Sequence, residues 1–200
     1  MSGWLSHFHA GRDGDVILTR RIRLRQPRVN DHGPWARLRD ESRDFLRPWE
    51  PQWQPDELTM QAYRRRLRDY WRQARMGTAL PLFLFTRDTH VLLGGLNLSN
   101  IRRGISQSAS LGYWIGRRHA RQGYMSEAVR AVTHHAFTRL KLHRIEAACI
   151  PENVASRRLL ESCGFVREGL ARRYLRIDGH WRDHVLFALL REDVDIPRQI

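Results

Sequence analysis

A mixed α/β sheet with helices packed on its faces is the fold class this sequence predicts. Three observations carry it. Segments with strand-like alternation are interleaved with segments of helical periodicity, in the order strand, two helices, three strands, helix, strand, helix, two strands. Two alternating runs near the end meet at Asp178-Gly179, a strong hairpin signal. A chain of 200 residues, 42% hydrophobic and with seven Trp, suits one folded domain with a sizeable core and excludes disorder.

Residues 1–15 carry Asp, Arg and three Gly and no apolar core segment, so they read as a flexible leader ahead of a single domain over 16–200. Residues 16–26, "VILTRRIRLRQ", alternate apolar and basic and predict a first strand. "VNDHGPWARLRDESRDFL" predicts a helix with Asp31 as cap and Pro34 near its first turn. The Pro- and Trp-rich "RPWEPQWQPDE" follows. From Thr59 to Met76 the chain is strongly helical, with Tyr63, Leu67, Tyr70, Trp71 and Ala74 in one stripe. Arginines at 64, 65, 68, 72 and 75 occupy its other faces.

Residues 79–87 and 90–99 predict two strands joined at Asp88-Thr89, and 107–116 a further strand. The next helix repeats Met125, Ala128, Val129, Val132 and Ala136. "HRIEAACI" predicts a strand, and "NVASRRLLESCGF" a short helix capped by Asn153 and closed by Gly164. Residues 165–177 and 180–190 form the final hairpin.

Composition bounds function. A formal net charge of +14, nearly all of it arginine, favours anionic partners such as RNA, a ribonucleoprotein surface or a polyphosphate cofactor. Two cysteines, Cys149 and Cys163, and the absence of secretory features predict reduced thiols in a cytoplasm. No apolar run is long enough to cross a bilayer. The ten histidines show no metal-ligand spacing, and no phosphate loop of NTPase type appears. The stretch "HARQGYMSEAVRAV" places a basic, glycine-bearing turn at a helix start, where free N–H groups and the helix dipole suit a phosphate.

"LGYWIGRRHARQGYMSEAV" followed by "HRIEAACIPENVASRRLLESCGF" resembles the GNAT superfamily of acetyl-CoA-dependent N-acetyltransferases. "DFLRPWEP" (44–51), "LSNIRRG" (98–104), "LGYWIG" (111–116), "NVASRRLLESCGF" (153–165) and "YLRIDGHWRDHVLFALL" (174–190) are similar to its ribosomal-protein-alanine N-acetyltransferases, the RimJ type. The resemblance spans most of the chain beyond the leader. It implies a mixed, mostly antiparallel sheet of about seven strands with helices on both faces.

The resemblance also implies a site. Acetyl-CoA is expected along a strand that splays from its neighbour, held by Tyr113, Trp114 and Ile115, with a backbone N–H of this stretch polarising the thioester carbonyl. Its phosphates are expected on Arg117, Arg118, Arg121, Gln122, Gly123, Tyr124, Met125 and Ser126. Ala120 and Met125 depart from the family pattern Gln/Arg-x-x-Gly-x-Gly/Ala, and Arg121 stands where glycine is common, leaving only Gly123 in register. Asn153 is expected at the cofactor or an ordered water, and Ser156 beside the sulfur as acid for the leaving thiolate. Glu168 matches the family's Glu-Gly after the Gly-Phe turn and is the expected base; Asp183, His184 and Glu50 are the other candidates. Trp49, Glu50, Trp53, Tyr174 and Asp183 are expected to shape the acceptor groove. The acceptor implied is the N-terminal amine of a ribosomal protein, alanine first, with RNA contact through the arginine-rich surface. An acetyltransferase of small amines and a non-catalytic ribosome-assembly factor are the rival readings; a basic chain argues against the first and the phosphate turn against the second.

Overall fold

The structure, a computed structural model, describes residues 16–194; the leader, with His7 and His9, lies outside them. The strands are β1 (Ile17–Leu18), β2 (Ile22–Arg25), β3 (Leu80–Thr86), β4 (Leu92–Arg102), β5 (Ser108–Ile115), β6 (Arg144–Cys149), β7 (Val166–Ile177) and β8 (His180–Leu190). The helices are α1 (His32–Glu41), α2 (Arg43–Leu46), α3 (Met60–Arg75), α4 (Tyr124–Thr138) and α5 (Val154–Ser162). All eight strands join one sheet in the order β1-β2-β3-β4-β5-β6-β8-β7. Every neighbouring pair is antiparallel except β5 and β6.

Eight strands stand where about seven were expected, because residues 16–26 fold back on themselves. The Thr19 hydroxyl accepts the Ile22 N–H at 3.1 Å, and the Thr19 N–H reaches the Ile22 carbonyl at 3.0 Å. This hydroxyl-supported turn needs neither Gly nor Pro. The helix expected over 29–46 breaks at Ser42, between α1 and α2. Asp31 does not cap α1: its carboxylate takes both Arg25 guanidinium nitrogens at 2.7 Å and the Arg28 N–H at 2.7 Å. Thr59 does cap α3, accepting the Ala62 N–H at 3.2 Å, and Asn153 caps α5 through the Ser156 N–H at 3.0 Å. Asp178 and Gly179 both take positive φ (43° and 82°), as a two-residue hairpin turn requires.

The sheet is buried on both faces by two separate cores. Strand β3 shows how: Leu80, Leu82 and Leu84 enter the core under α4 and α5, while Phe83 and Phe85 enter the core under α1 and α3. The period of two thus sorts one continuous apolar run, "ALPLFLF", into two apolar layers. Among the described residues no helix is long and apolar enough to cross a membrane.

Strands β4 and β5 approach unusually closely at Gly94. A Cβ built there would lie 2.3 Å from the Trp114 carbonyl oxygen and 3.0 Å from the Ile115 Cα, both backbone atoms that cannot swing aside. Gly94→Ala is therefore expected to force the two strands apart and to lower stability by about 1–3 kcal/mol, the usual cost of overpacking. Urea denaturation checks this; an unchanged midpoint would show that the strands separate freely.

Candidate active site

Strand β5 pairs with β6 only from Ser108↔Arg144 to Leu111↔Ala147, while its pairing with β4 continues to Ile115. Beyond Leu111 its β6-facing edge is open. The Gly116 N–H bonds back to the Leu93 carbonyl at 2.9 Å, so by strand alternation the N–H groups of Tyr113 and Ile115 face the gap. Those are donors a ligand laid along β5 would use, the arrangement expected of the "LGYWIG" segment.

The chain leaves β5 into a turn that ends at α4. Two of its residues are left-handed, Arg121 (φ 60°) and Gly123 (φ 79°), the second being the N-cap of α4. Such a turn, followed by the free N–H groups of the first helical turn, makes a concave set of donors suited to phosphate. Gly123 meets the need for positive φ without strain; Arg121 adopts it with a side chain. Arg117 and Arg121 have no acidic partner among the described residues. Arg118 is engaged by Glu41 at 3.1 Å and by His119, so its charge is partly spoken for. The buried Ser42 hydroxyl accepts the Arg117 N–H at 3.0 Å, fixing the turn on the α1–α2 break.

A second clamp fixes the turn from the other side. Glu127, in the first turn of α4, accepts from the Thr19 hydroxyl at 2.5 Å, the Arg21 N–H at 3.0 Å and the Arg21 Nε at 2.6 Å. Arg21 also donates to the Gln122 carbonyl at 2.9 Å and lies 4.7 Å from the centre of the Tyr124 ring. Burial acts to raise the Glu127 pKa, but the hydrogen bonds from Thr19 and Arg21 outweigh it and hold the carboxyl below its usual range.

At the mouth of the gap, on the α4–α5 face, the Tyr113 hydroxyl and Ser156 Oγ lie 2.8 Å apart. Burial pushes the Tyr113 hydroxyl well above its ordinary pKa, against the bond to Ser156, so it remains protonated. Burial also pushes up the Cys149 thiol, which touches Ser156, and the Cys163 thiol, whose sulfur faces the Ser126 carbonyl. Neither thiol is primed as a nucleophile.

On the opposite face, under α1 and α3, is a cavity of about 330 Å³ whose lining includes Trp35, Trp53, Tyr70, Asn97, Gly112, Tyr113 and Trp114. One wall is a buried cluster. Arg39 lies 4.3 Å from the ring centre of Trp53 and 5.0 Å from that of Trp114, and both its terminal nitrogens reach the Glu50 carboxylate at 2.7 Å. Trp53 Nε1 adds a third bond to Glu50 at 2.9 Å. The β7–β8 tip closes on this loop: the Asp178 N–H donates to the Glu50 carbonyl at 2.9 Å, and Arg47 pairs with Asp178 at 3.1 Å.

The sequence-predicted residues thus divide. Tyr113 and Ile115 open onto the gap, where Tyr113 meets Ser156 and Asn153 caps the same helix; the residues from Arg117 to Ser126 form the turn and the start of α4; Trp114, Glu50 and Trp53 line the cavity. Three expected groove residues do not line it. Trp49 is solvent-exposed, Asp183 accepts the Arg173 N–H at 2.8 Å, and Tyr174 packs edge-on to His184 with ring centres 5.8 Å apart. Glu168 is not placed as a base either. It is exposed, both its oxygens take Arg144, and that guanidinium holds its pKa below the usual carboxylate range. Sequence reasoning did not find Arg39, Thr19, Arg21 or Glu127, or the hydrogen bond between the Tyr113 hydroxyl and Ser156.

Comparison with known proteins agrees with this geometry. Residues 21–166 match the acetyltransferase (GNAT) domain family. The chain is 39% identical over 168 residues to the [ribosomal protein uS5]-alanine N-acetyltransferase of Escherichia coli (strain K12), spanning 82% of this chain and 86% of that protein. It is 37% identical to the probable N-acetyltransferase YjcK of Bacillus subtilis (strain 168), over 86% of this chain and 95% of the relative. Among solved structures, Mycobacterium smegmatis RimJ in complex with CoA-disulfide superposes with a TM-score of 0.82 at 34% identity, covering 88% of this chain and 84% of that one.

The Glu127 clamp makes a pH-dependent prediction. A carboxyl whose pKa is lowered by folding stabilises the fold above its unfolded pKa, about 4.5, and loses that contribution as pH falls through the folded value. Glu127→Gln should therefore lower stability at pH 7, and the gap to the parent protein should narrow progressively below about pH 4.5. Urea midpoints at pH 7 and pH 3.5 decide it, and a difference that does not depend on pH would remove the charge from the clamp.

Proposed function

This chain belongs to the GNAT acetyltransferase family, and on that premise we propose that it moves the acetyl group of acetyl-CoA onto the N-terminal α-amine of a ribosomal protein, alanine first. The observation that carries the proposal is the open β5 edge, with the left-handed turn at the α4 N-terminus at one end and the Tyr113–Ser156 pair beside it. Likeness to the E. coli alanine N-acetyltransferase over most of both chains supports the acceptor class.

Acetyl-CoA supplies the activated thioester. Tyr113, Trp114 and Ile115 would hold its arm, and the turn from Arg117 to Ser126 its phosphates, through backbone N–H groups at Gly123 to Ser126 and the charges of Arg117 and Arg121. The N–H groups of Tyr113 and Ile115 point where an oxyanion develops. Ser156 Oγ gives its proton to the leaving sulfur as it takes one from the bonded Tyr113 hydroxyl, and solvent returns a proton to the tyrosine so that it ends the cycle protonated. Transfer is direct, because both thiols are buried and raised in pKa.

The acceptor chemistry follows from the acids. Glu50 and Glu168 are each engaged by an arginine, and the Arg144 guanidinium holds the Glu168 carboxyl below its usual range. An α-amine, with a pKa of roughly 7.7–8.0, needs far less help to deprotonate than a lysine near 10.4; the difference is worth roughly 3.5 kcal/mol at neutral pH. A surface of net charge +14 suits an acceptor presented on an anionic ribonucleoprotein. On α3, Arg65, Arg66 and Arg72 are paired with Asp56, Glu57 and Asp69, so RNA contact there falls to Arg64, Arg68 and Arg75.

Ser156→Ala should lower kcat by about 10²-fold with the Kd for acetyl-CoA nearly unchanged, while Tyr113→Phe should lower it less. Steady-state kinetics with calorimetry measure both, and an unaltered kcat would return Ser156 to a purely structural position at the start of α5. A second prediction concerns the acceptor. A peptide beginning with alanine should be acetylated, and the same peptide with a blocked N-terminus and a free internal lysine should not. Mass spectrometry locates the acetyl group; modification of lysine alone, or of polyamines alone, would defeat the proposal.

A further inference from the structure

Strand β7 ends the sheet, so its outer edge has no neighbouring strand, and it is exposed along almost its whole length. Arg172, Arg173 and Arg176 on it have no acidic partner among the described residues. Between the pairs Ala171↔His184 and Leu175↔Arg182 the ladder bulges, and Arg172, Arg173 and Tyr174 stand opposite Asp183 alone. The bulge is built rather than frayed: Arg173 takes a left-handed φ of 47°, and the Asp183 carboxylate accepts its N–H at 2.8 Å. Bulges re-aim side chains, and this one displays two exposed arginines in succession. Positive charge on an edge strand also guards against edge-to-edge pairing. Trp181 goes beyond that need. It is 63% exposed, more than any other Trp, Tyr or Phe among the described residues, and it stands directly across the ladder from Arg176. Helix α3, also rich in arginine, offers no exposed aromatic residue.

We propose that the β7–β8 hairpin is a docking surface for single-stranded RNA, with Arg172, Arg173 and Arg176 on phosphates and Trp181 stacked on a base. A second copy of this chain would bring the same cations face to face, and an acidic polypeptide has no base to lay on the indole. The hairpin tip meets the loop that carries Glu50 and Trp53, both in the cavity wall, through the Asp178 N–H on the Glu50 carbonyl. RNA held on the hairpin therefore brings a ribonucleoprotein to the edge of the cavity, where a protein N-terminus would enter. That placement rests on the N-terminal acceptor reading above; the surface itself does not.

The test titrates the full chain against a fluorescently labelled oligouridylate, about 12 nucleotides long, at several salt concentrations and follows anisotropy. The parent should bind it more tightly than an RNA duplex of the same length, whose bases are not free to stack. Arg172→Gln/Arg173→Asn should flatten the slope of log K against log salt by about 0.7 for each arginine lost. Trp181→Ala should weaken binding about fivefold or more and leave that slope unchanged, because stacking releases no counterions. Both variants should keep the parent's kcat/KM on a free alanine peptide, which shows that fold and site are intact. Hairpin variants that bind RNA like the parent, with the loss found instead in Arg64→Gln/Arg68→Gln/Arg75→Gln, would overturn the assignment. So would a duplex bound as tightly as the single strand, or a polyglutamate peptide that competes as well as unlabelled RNA. No RNA binding by a parent that acetylates the alanine peptide would overturn the surface and leave the acceptor reading standing. RNA binding that depends on Trp181, in a parent that acetylates no peptide, would support the surface and defeat that reading.

Discussion

The pairing of β5 with β6 stops at Leu111 and Ala147, and the chemistry of the molecule depends on that stop. A strand inside a sheet cannot leave backbone groups unpaired without cost, so an interrupted ladder must be stabilised by everything around it. Strand β6 remains bound to β8 along its whole length, and β5 to β4 up to Ile115. Each edge of the gap is therefore rigid, and the strands diverge as parts of two well-paired half-sheets. The tight fit at Gly94 holds the β5 edge to β4 where the open N–H groups lie. Rigidity of this kind is preorganisation: donors point at the gap before any ligand arrives.

Charge is handled with similar economy. The chain carries a large positive excess, yet the acids at the site are each held by an arginine: Glu127 by Arg21, Glu50 by Arg39, Glu168 by Arg144. Two of these pairs tie distant segments together. Glu127 fastens the β1–β2 turn to the start of α4, and Glu50 fastens the Pro-Trp loop to α1. The Arg39 pair is the more deeply buried of the two, flanked by two indole rings. Removing one partner would strand a buried charge, the costly way to break such a pair. These carboxylates are engaged in structure, and the proposed α-amine acceptor, which deprotonates more readily than a lysine, asks least of them.

Much of this was legible in the sequence where the signal is local. Asn153, three residues before Ser156, reads as a helix cap and is one; Asp178-Gly179 reads as a hairpin turn and is one. The helices α3 and α4 stand out through apolar stripes, and the open strand through its resemblance to a known family. What was missed has no local signature. The turn between β1 and β2 falls where the alternation is interrupted at Thr19-Arg20-Arg21, and its hydroxyl-to-backbone bonds leave no Gly or Pro to mark it. Thr19 and Glu127 are 108 positions apart, Tyr113 and Ser156 are 43 apart, and no periodicity announces either pair. Glu168 and Tyr174 were placed by family pattern alone, which assigns a role without registering that Arg144 claims the first and His184 the second.

Strand alternation joins these observations into one scheme. On β5, Tyr113 projects toward α4 and α5, where its hydroxyl meets Ser156, and Trp114 projects the other way, into the cavity beside Arg39. Acyl transfer to an amine needs a proton delivered to the leaving sulfur and another lost from the attacking nitrogen. A site that performed both on one face would let the two proton paths interfere. Consecutive residues of a single strand separate them at no structural cost, since a pleated strand sends neighbouring side chains to opposite faces. A tyrosine kept protonated by burial stands on the side of α4 and α5, and the other side offers the aromatic walls of the cavity. The backbone between them, with its N–H groups open to the gap, is common to both faces, so under the proposed function β5 would polarise the thioester carbonyl while each proton moves on its own side.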